Sequence, residues 1–259
     1  MNTYINHDED LFYLKTYESD VVKHLFEVIS CNLCVDMVTW KITHEGIHIS
    51  SISADNTMIV DLHLDSKNFS TYTLKNPLTI GIPIYDLRVI TKNIKSRSMI
   101  QIYIKSDLHV KPHIYFDIGN KGGIVRSVSV TTDVQVLELS VDTSFTAFHV
   151  ISSIEFYKIC KTIKKLDDNL VLVSHPSKLE IHVVSPSGAE MNLSYLDSHR
   201  HVIRSSGIIE PISLTHINTL CKLGKLSSII RVYLSGSNFL KFETSIGVLG
   251  TITLCMRTR

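Results

Sequence analysis

The chain is dominated by short stretches in which apolar and polar positions alternate. VTWKIT, GIHISSIS, TMIVDLHL, SMIQIYI, HIYFDI, VLELSV, NLVLVSH, LEIHVVS, IIRVYL and LGTITLCM alternate or run apolar at strand length. Turn clusters such as HEG, NKGG and SGSN divide them. Four stretches follow a helical spacing instead: 19–33, 85–95, 152–166 and 214–226. Ser19 or Asp20 stands as the N-cap of the first, and Ser152 or Ser153 as the N-cap of the third. The order of these pieces repeats. LFYLKTY, helix, VTWKIT, HEG and IHISSIS in the first half match FTAFHV, helix, LVLVSH, PSK and LEIHVVS in the second. PLTIGIPIYDLRVITKNIKSRSMIQIYI matches PISLTHINTLCKLGKLSSIIRVYL in the same way. The pattern predicts two copies of one α+β unit, and the period of half the chain is too long for a solenoid. The join falls near 128–142.

Composition narrows the class. With 26 basic and 25 acidic side chains in 259 residues, the chain is nearly neutral. That argues against a basic tail coating nucleic acid but leaves room for a local basic patch. Such a patch is visible in EFYKICKTIKKL, where Phe156, Ile159, Cys160 and Ile163 share one helix side and Lys158, Lys161 and Lys165 another. The polar, acidic start MNTYINHDED is neither a signal nor a transit peptide, and no apolar run reaches the ~20 residues that span a bilayer. A soluble intracellular chain without membrane contact is expected. Five unevenly spaced cysteines then read as reduced thiols.

Enzyme chemistry finds little footing. CNLC (31–34) is a lone CxxC, and SHRH (198–201) lacks a carboxylate or cysteine partner, so neither predicts a metal site. Asp55 and Asp61 are not marked as an acid/base pair. GNKGG lacks the Lys-Ser/Thr of a phosphate loop. No catalytic residue, metal or cofactor is assigned.

Three segments carry a family resemblance: EFYKICKTI, LSSIIRVYLSGSNFLKFETSIGVLGTITL and GIHISSISADNTMIVDLHLDSKNFSTY. In these the chain resembles the sliding clamps of the proliferating cell nuclear antigen type, over almost its whole length and as a divergent, viral-like member. The resemblance implies an α+β fold of two topologically similar domains, with sheets outside and two inner helices in each. The boundaries implied are 1–128, a linker over 129–142, and 143–259. It implies a non-enzymatic homotrimeric ring around duplex DNA that tethers a DNA polymerase. A clamp-loader ATPase opens such rings, in a nucleus or at a viral replication site.

The inner-face positions carried over are Lys23, His24, Arg88, Lys92, Lys95, Lys158, Lys161, Lys165, His216, Lys222 and Lys225. Lysine suits a sequence-independent hold, since it attracts phosphate without reading base edges. Arg88, Lys92 and Lys95 share an i, i+4, i+7 face, whereas the first helix is weakly basic because Glu27 lies near Lys23. The partner-peptide pocket maps to Ile52, Leu137, Leu139, Phe239 and Cys255, without the family's nearby tyrosine and prolines. The subunit-pairing strands map to 125–130 and 189–195, with Val125, Ser127, Val128, Met191, Leu193 and Tyr195 at the interface. About ten N-terminal residues precede the family's usual start, and the chain ends MRTR in place of an acidic tail. Other readings stay open: a subunit of a heteromeric checkpoint ring, a viral factor acting as monomer or dimer, a nucleic-acid-modifying enzyme, or a scaffold that never meets DNA.

Overall fold

A computed structural model describes residues 7, 9–31, 36–106, 112–119, 123–132, 134, 145, 147–163, 169–175, 178–184, 190–196, 208–213, 217–235 and 239–258. The first half runs β1 (Phe12–Thr16), α1 (Ser19–Ile29), β2 (Met37–Ile42), β3 (Gly46–Ile52) and β4 (Met58–Asp65). After a 3-10 turn at Ser66–Asn68 come β5 (Thr71–Leu74), β6 (Leu78–Pro83), α2 (Ile84–Asn93), β7 (Ile100–Ile104), β8 (His113–Ile118) and β9 (Ile124–Ser129). Among the described residues the second half repeats this order, with the stretch that corresponds to β5 outside them. It runs β10 (Ala147–Ser152), α3 (Ser153–Ile163), β11 (Asn169–His175), β12 (Lys178–Val184), β13 (Glu190–Leu196), β14 (Ile208–Ser213), α4 (Ile217–Leu223), β15 (Ile229–Leu234), β16 (Phe239–Ser245) and β17 (Gly250–Arg257). VLELSV falls outside the described residues.

The strands form three sheets, ordered β5-β1-β7-β8-β9, β10-β15-β16-β17-β4-β3-β2-β6, and β13-β12-β11-β14. The eight-stranded sheet belongs to both halves: β17 closes the second repeat and pairs antiparallel with β4 of the first. Strand alternation decides which face is buried, as in β16, where every second residue points into the core. Trp40, Phe26 and Phe116 pack together in the first half, and Phe156 packs on Phe242 in the second. The four α-helices among the described residues lay an apolar stripe on these inner faces.

The start of α1 differs from the caps expected, whereas Ser152, one of the two candidates for α3, directly precedes its first residue. Ser19 and Ser153 are the first helical residues of α1 and α3. Both are buried, and neither hydroxyl has a hydrogen-bond partner among the described residues. Glu18 occupies the N-cap of α1 without capping by its side chain. Its own N–H donates to Thr16 Oγ1 at 3.1 Å. Burial of the helix start against the sheet has overridden the local capping preference.

The β17–β4 joint is close. A Cβ at Gly250 would lie 1.9 Å from the His63 carbonyl oxygen, so only glycine admits this approach. Gly250→Ala is therefore expected to lower unfolding stability by about 1–3 kcal/mol, the usual cost of overpacking a tight site. Urea denaturation of the full chain measures it, and an unchanged midpoint would contradict the close joint.

Candidate nucleic-acid interface, partner groove and edge strands

The helices lie in a row, α2 beside α1, α1 beside α4, and α4 beside α3. With their apolar stripes on the sheets, their polar sides share one surface. Arg88, Lys92, Lys95, Lys158, Lys161 and Lys225 are exposed on it, whereas Lys23, His24 and Lys222 are half-buried. Lys165 and His216 lie outside the described residues. The basic faces of α2 and α3 are thus open to solvent, and the middle of the row is partly neutralised.

That neutralisation has identifiable contacts. Lys222 Nζ donates to Glu27 Oε2 at 2.7 Å, and His24 Nδ1 is 3.5 Å from the same oxygen. Burial alone would raise the Glu27 carboxyl above its ordinary range. The hydrogen bond and charge of Lys222, with His24 and Lys225 adding, outweigh burial and hold it below that range. Arg88 is also less free than its helical position implies: its Nε donates to the Ser30 carbonyl at 2.8 Å. A cation there complements the C-terminal end of α1. Thr219 Oγ1 donates to the Cys31 carbonyl at 3.0 Å, tying α4 to the same end.

On the opposite face, sheet register lines up the side chains of a candidate partner site. Ile52 stands opposite Ile59, Ile59 opposite Cys255, and Cys255 opposite Lys241. Tyr233 and then Phe148 continue that row. Cys255 is 7% exposed, and burial, helped by Asp61 and opposed by Lys241, pushes its thiol up to about 11. It is an apolar member of that row, not a nucleophile. Lys241 Nζ lies 4.2 Å from the Tyr233 ring centroid and 5.5 Å from that of Phe145. Its charge is balanced by Glu243 at 3.1 Å. Phe239 sits two residues from Lys241 on the same face, opposite Arg257. Leu137 and Leu139 fall outside the described residues. Sequence reasoning missed Ile59, Lys241, Tyr233 and Phe145. Alternation put the first three on the outer side of their strands, but only register brings them to Cys255.

The two strands expected to pair between subunits are both sheet edges, β9 and β13. Val125 is 52% exposed and Ile124 45%. Val128 points inward and is 5% exposed within the single chain. Leu193 is half-buried on β13, and of Met191 and Tyr195 only the backbone is described.

The remaining candidates have structural roles. Asp61 pairs with His48 across β3 and β4. Asp55 accepts from Ser53 Oγ at 2.5 Å and from the Thr57 N–H at 3.2 Å, which closes a turn. Cys160 is buried beside Cys221, where burial first, then the hydrogen bond between the thiols, pushes its pKa well up. Cys34 and SHRH fall outside the described residues. Among the described residues, no three or more His, Cys, Asp or Glu side chains come together as a cation site.

Two repeats joined through one sheet, with four helices across one surface, define a two-domain clamp architecture. The family model for the proliferating cell nuclear antigen N-terminal domain matches residues 11–142, and the chain belongs to that family. A probable DNA polymerase sliding clamp of Paramecium bursaria Chlorella virus 1 is 24% identical over 255 residues, 95% of each chain. The DNA polymerase sliding clamp of Thermococcus gammatolerans is 28% identical over 142 residues, 54% of this chain and 55% of that one. The fold matches the crystal structure of proliferating cellular nuclear antigen from Entamoeba histolytica with a TM-score of 0.82 at 17% identity. That match covers 96% of this chain and 99% of the other. A PCNA2–PCNA3 complex from Sulfolobus tokodaii matches with the same TM-score at 13% identity, over 95% and 99%.

The Glu27–Lys222 pair carries a testable pH dependence. A carboxyl held low in the folded chain stabilises above its unfolded pKa, and this is lost as pH falls through the folded value. Lys222→Ala is expected to cost about 0.5 kcal/mol at neutral pH, as partly exposed pairs do. The gap from the native chain should close on acidification through the carboxylate range. Denaturation at several pH values checks this; a gap independent of pH would mean that the pair contributes nothing.

Proposed function

We propose that three copies of this sliding clamp close head to tail into a ring around duplex DNA. The observation that carries the proposal is the chain's own joint. In the repeat, β9 corresponds to β17 and β13 to β4. β17 and β4 pair within the chain, while their counterparts β9 and β13 are left as free edges at its two ends. Repeating the same joint between copies pairs β9 of one with β13 of the next, a heterologous contact that closes by rotation. The domain limits proposed are 1–128 and 143–259, with 129–142 as the linker.

In such a ring the helices face the hole. Arg88, Lys92, Lys95, Lys158 and Lys161 then meet phosphates without reading sequence, and Lys23, His24, Lys222 and Lys225 contribute from the middle of each subunit. Lys165 and His216 complete the assignment by sequence. Encirclement supplies the lasting hold, so each contact can be weak. The row of Ile52, Ile59 and Cys255, with Phe239 beside it and Leu137 and Leu139 assigned from sequence, takes an apolar side chain of a peptide from a DNA polymerase. Opening falls to a separate loader ATPase. The chain itself is assigned no catalysis, and its place is a nucleus or a viral replication site.

Light scattering of the purified chain is expected to give the mass of three copies. Val125→Lys places a charge on an exposed edge position, so it should leave the fold intact and shift the mass to one copy. A strict monomer for the native chain would overturn the ring. Replacing Lys92, Lys158 and Lys161 together with Glu should cut retention on circular duplex by at least tenfold at low salt and flatten the salt dependence, as lost phosphate contacts do.

A further inference from the structure

The repeat allows a comparison between the joint inside the chain and the joint between copies. α1 and α3 each have 11 residues and start at equivalent buried serines, Ser19 and Ser153. His24 and Lys158 are therefore the sixth residue of each helix, and Glu27 and Lys161 the ninth. α2 and α4 correspond at their C-terminal ends, Asn93 and Leu223. Lys92 and Lys222 are then the penultimate residue of each, and Lys95 and Lys225 the second residue beyond.

Within the chain α1 packs on α4, bringing His24 and Glu27 against Lys222 and Lys225. One carboxylate answers two ammonium groups, and Glu27 bonds Lys222 directly. Between copies α3 takes the place of α1, and α2 of the neighbour takes the place of α4. The same four positions become Lys158 and Lys161 against the neighbour's Lys92 and Lys95. All four are cationic and exposed. Among the described residues, no carboxylate pairs with any of them in the single chain. Asp86 and Glu155, in the first turns of α2 and α3, are six residues from Lys92 and Lys161. That is about 9 Å along each axis. From Lys92 and Lys161 it is near the screening length at 0.1 M salt, roughly 10 Å, but Glu155 is only three residues from Lys158 and offsets part of that charge, so a single carboxylate answers four ammonium groups and the excess stays positive.

We infer that the subunit joints hold unbalanced positive charge and that phosphate groups of the encircled duplex are the counterions that complete them. This rests on the head-to-tail ring proposed above. Each joint then repeats the Glu27–Lys222 arrangement with a phosphate in place of the carboxylate. Ring closure and duplex binding become linked, because an anion that binds the closed joint better than the open one must favour closure by the same factor. The phosphate contacts concentrate at the boundaries between subunits, not at their centres.

The test is the dissociation of the full-length trimer, followed by sedimentation across a sodium chloride series, with and without a short linear duplex. For the native chain, salt alone is expected to tighten assembly by screening the four lysines, and duplex at low salt should tighten it further. Lys161→Glu recreates the Glu27–Lys222 pair across the joint. It should tighten each joint without DNA roughly twofold to fivefold, the scale of exposed ion pairs. It should also make salt loosening instead of tightening, and it should shrink the effect of duplex. Lys161→Gln should fall between the two. Glu27→Lys moves the crowding to the chain's own joint, so its thermal midpoint should fall and recover with salt. A native chain that is monomeric in every condition overturns the ring itself. A trimer that salt loosens and that Lys161→Glu does not tighten overturns this inference and leaves the ring standing.

Discussion

Seven cross-strand positions, from Gly250 opposite Leu64 to Met256 opposite Met58, bind the two halves of the chain into one sheet. Backbone pairing is obligatory chemistry, since a buried N–H or C=O without a partner is costly. Once that ladder forms, the rest of the layout has little freedom. It fixes the distance between the repeats and forces α1 against α4. It also leaves the equivalent pair of strands, β9 and β13, at opposite ends of the molecule. Gly250 is the local condition for this, because any side chain there would strike the His63 carbonyl.

Both candidate surfaces are consequences of the same ladder. On the helix side it brings Glu27 to Lys222, residues 195 apart in sequence, and so makes the centre of the basic row quieter than its ends. On the outer side it lines up Ile59 with Cys255 and Lys241. Neither arrangement is carried by a single element. A substitution at the ladder therefore acts on both faces, whereas one at an exposed lysine acts on charge alone.

Much of the fold is legible in the sequence, because alternation and helical spacing are local properties. TMIVDLHL and HIYFDI read as strands without knowledge of their partners, and both are strands, β4 and β8. The helix at 152–166 is legible for the same reason, although its described part starts at Ser153 and ends at Ile163. Helix starts are less legible. Ser19 looks like a cap, but the sheet buries it as the first helical residue, and of the two candidates for α3 the sequence alone does not choose Ser152, which precedes the helix, over the buried Ser153. The basic residues of α2 and α3 can be picked out by position alone. Their electrostatic setting cannot, since Arg88 bonds to Ser30 and Glu27 to Lys222 only through tertiary packing. Register is the least legible quantity. Ile59 gives no sign in sequence that it neighbours Cys255, and Val128 gives none that it turns into the core.

The stacking of Lys241 on Tyr233 and Phe145 bears on the peptide site proposed for the outer face. A long cationic side chain ordinarily loses rotamer freedom when a ligand arrives. Here the ammonium already rests on two rings and against Glu243, so much of that disorder is gone before any encounter. That border of the proposed site is preorganised, so selection among peptides there would fall to the shape of their apolar side chains.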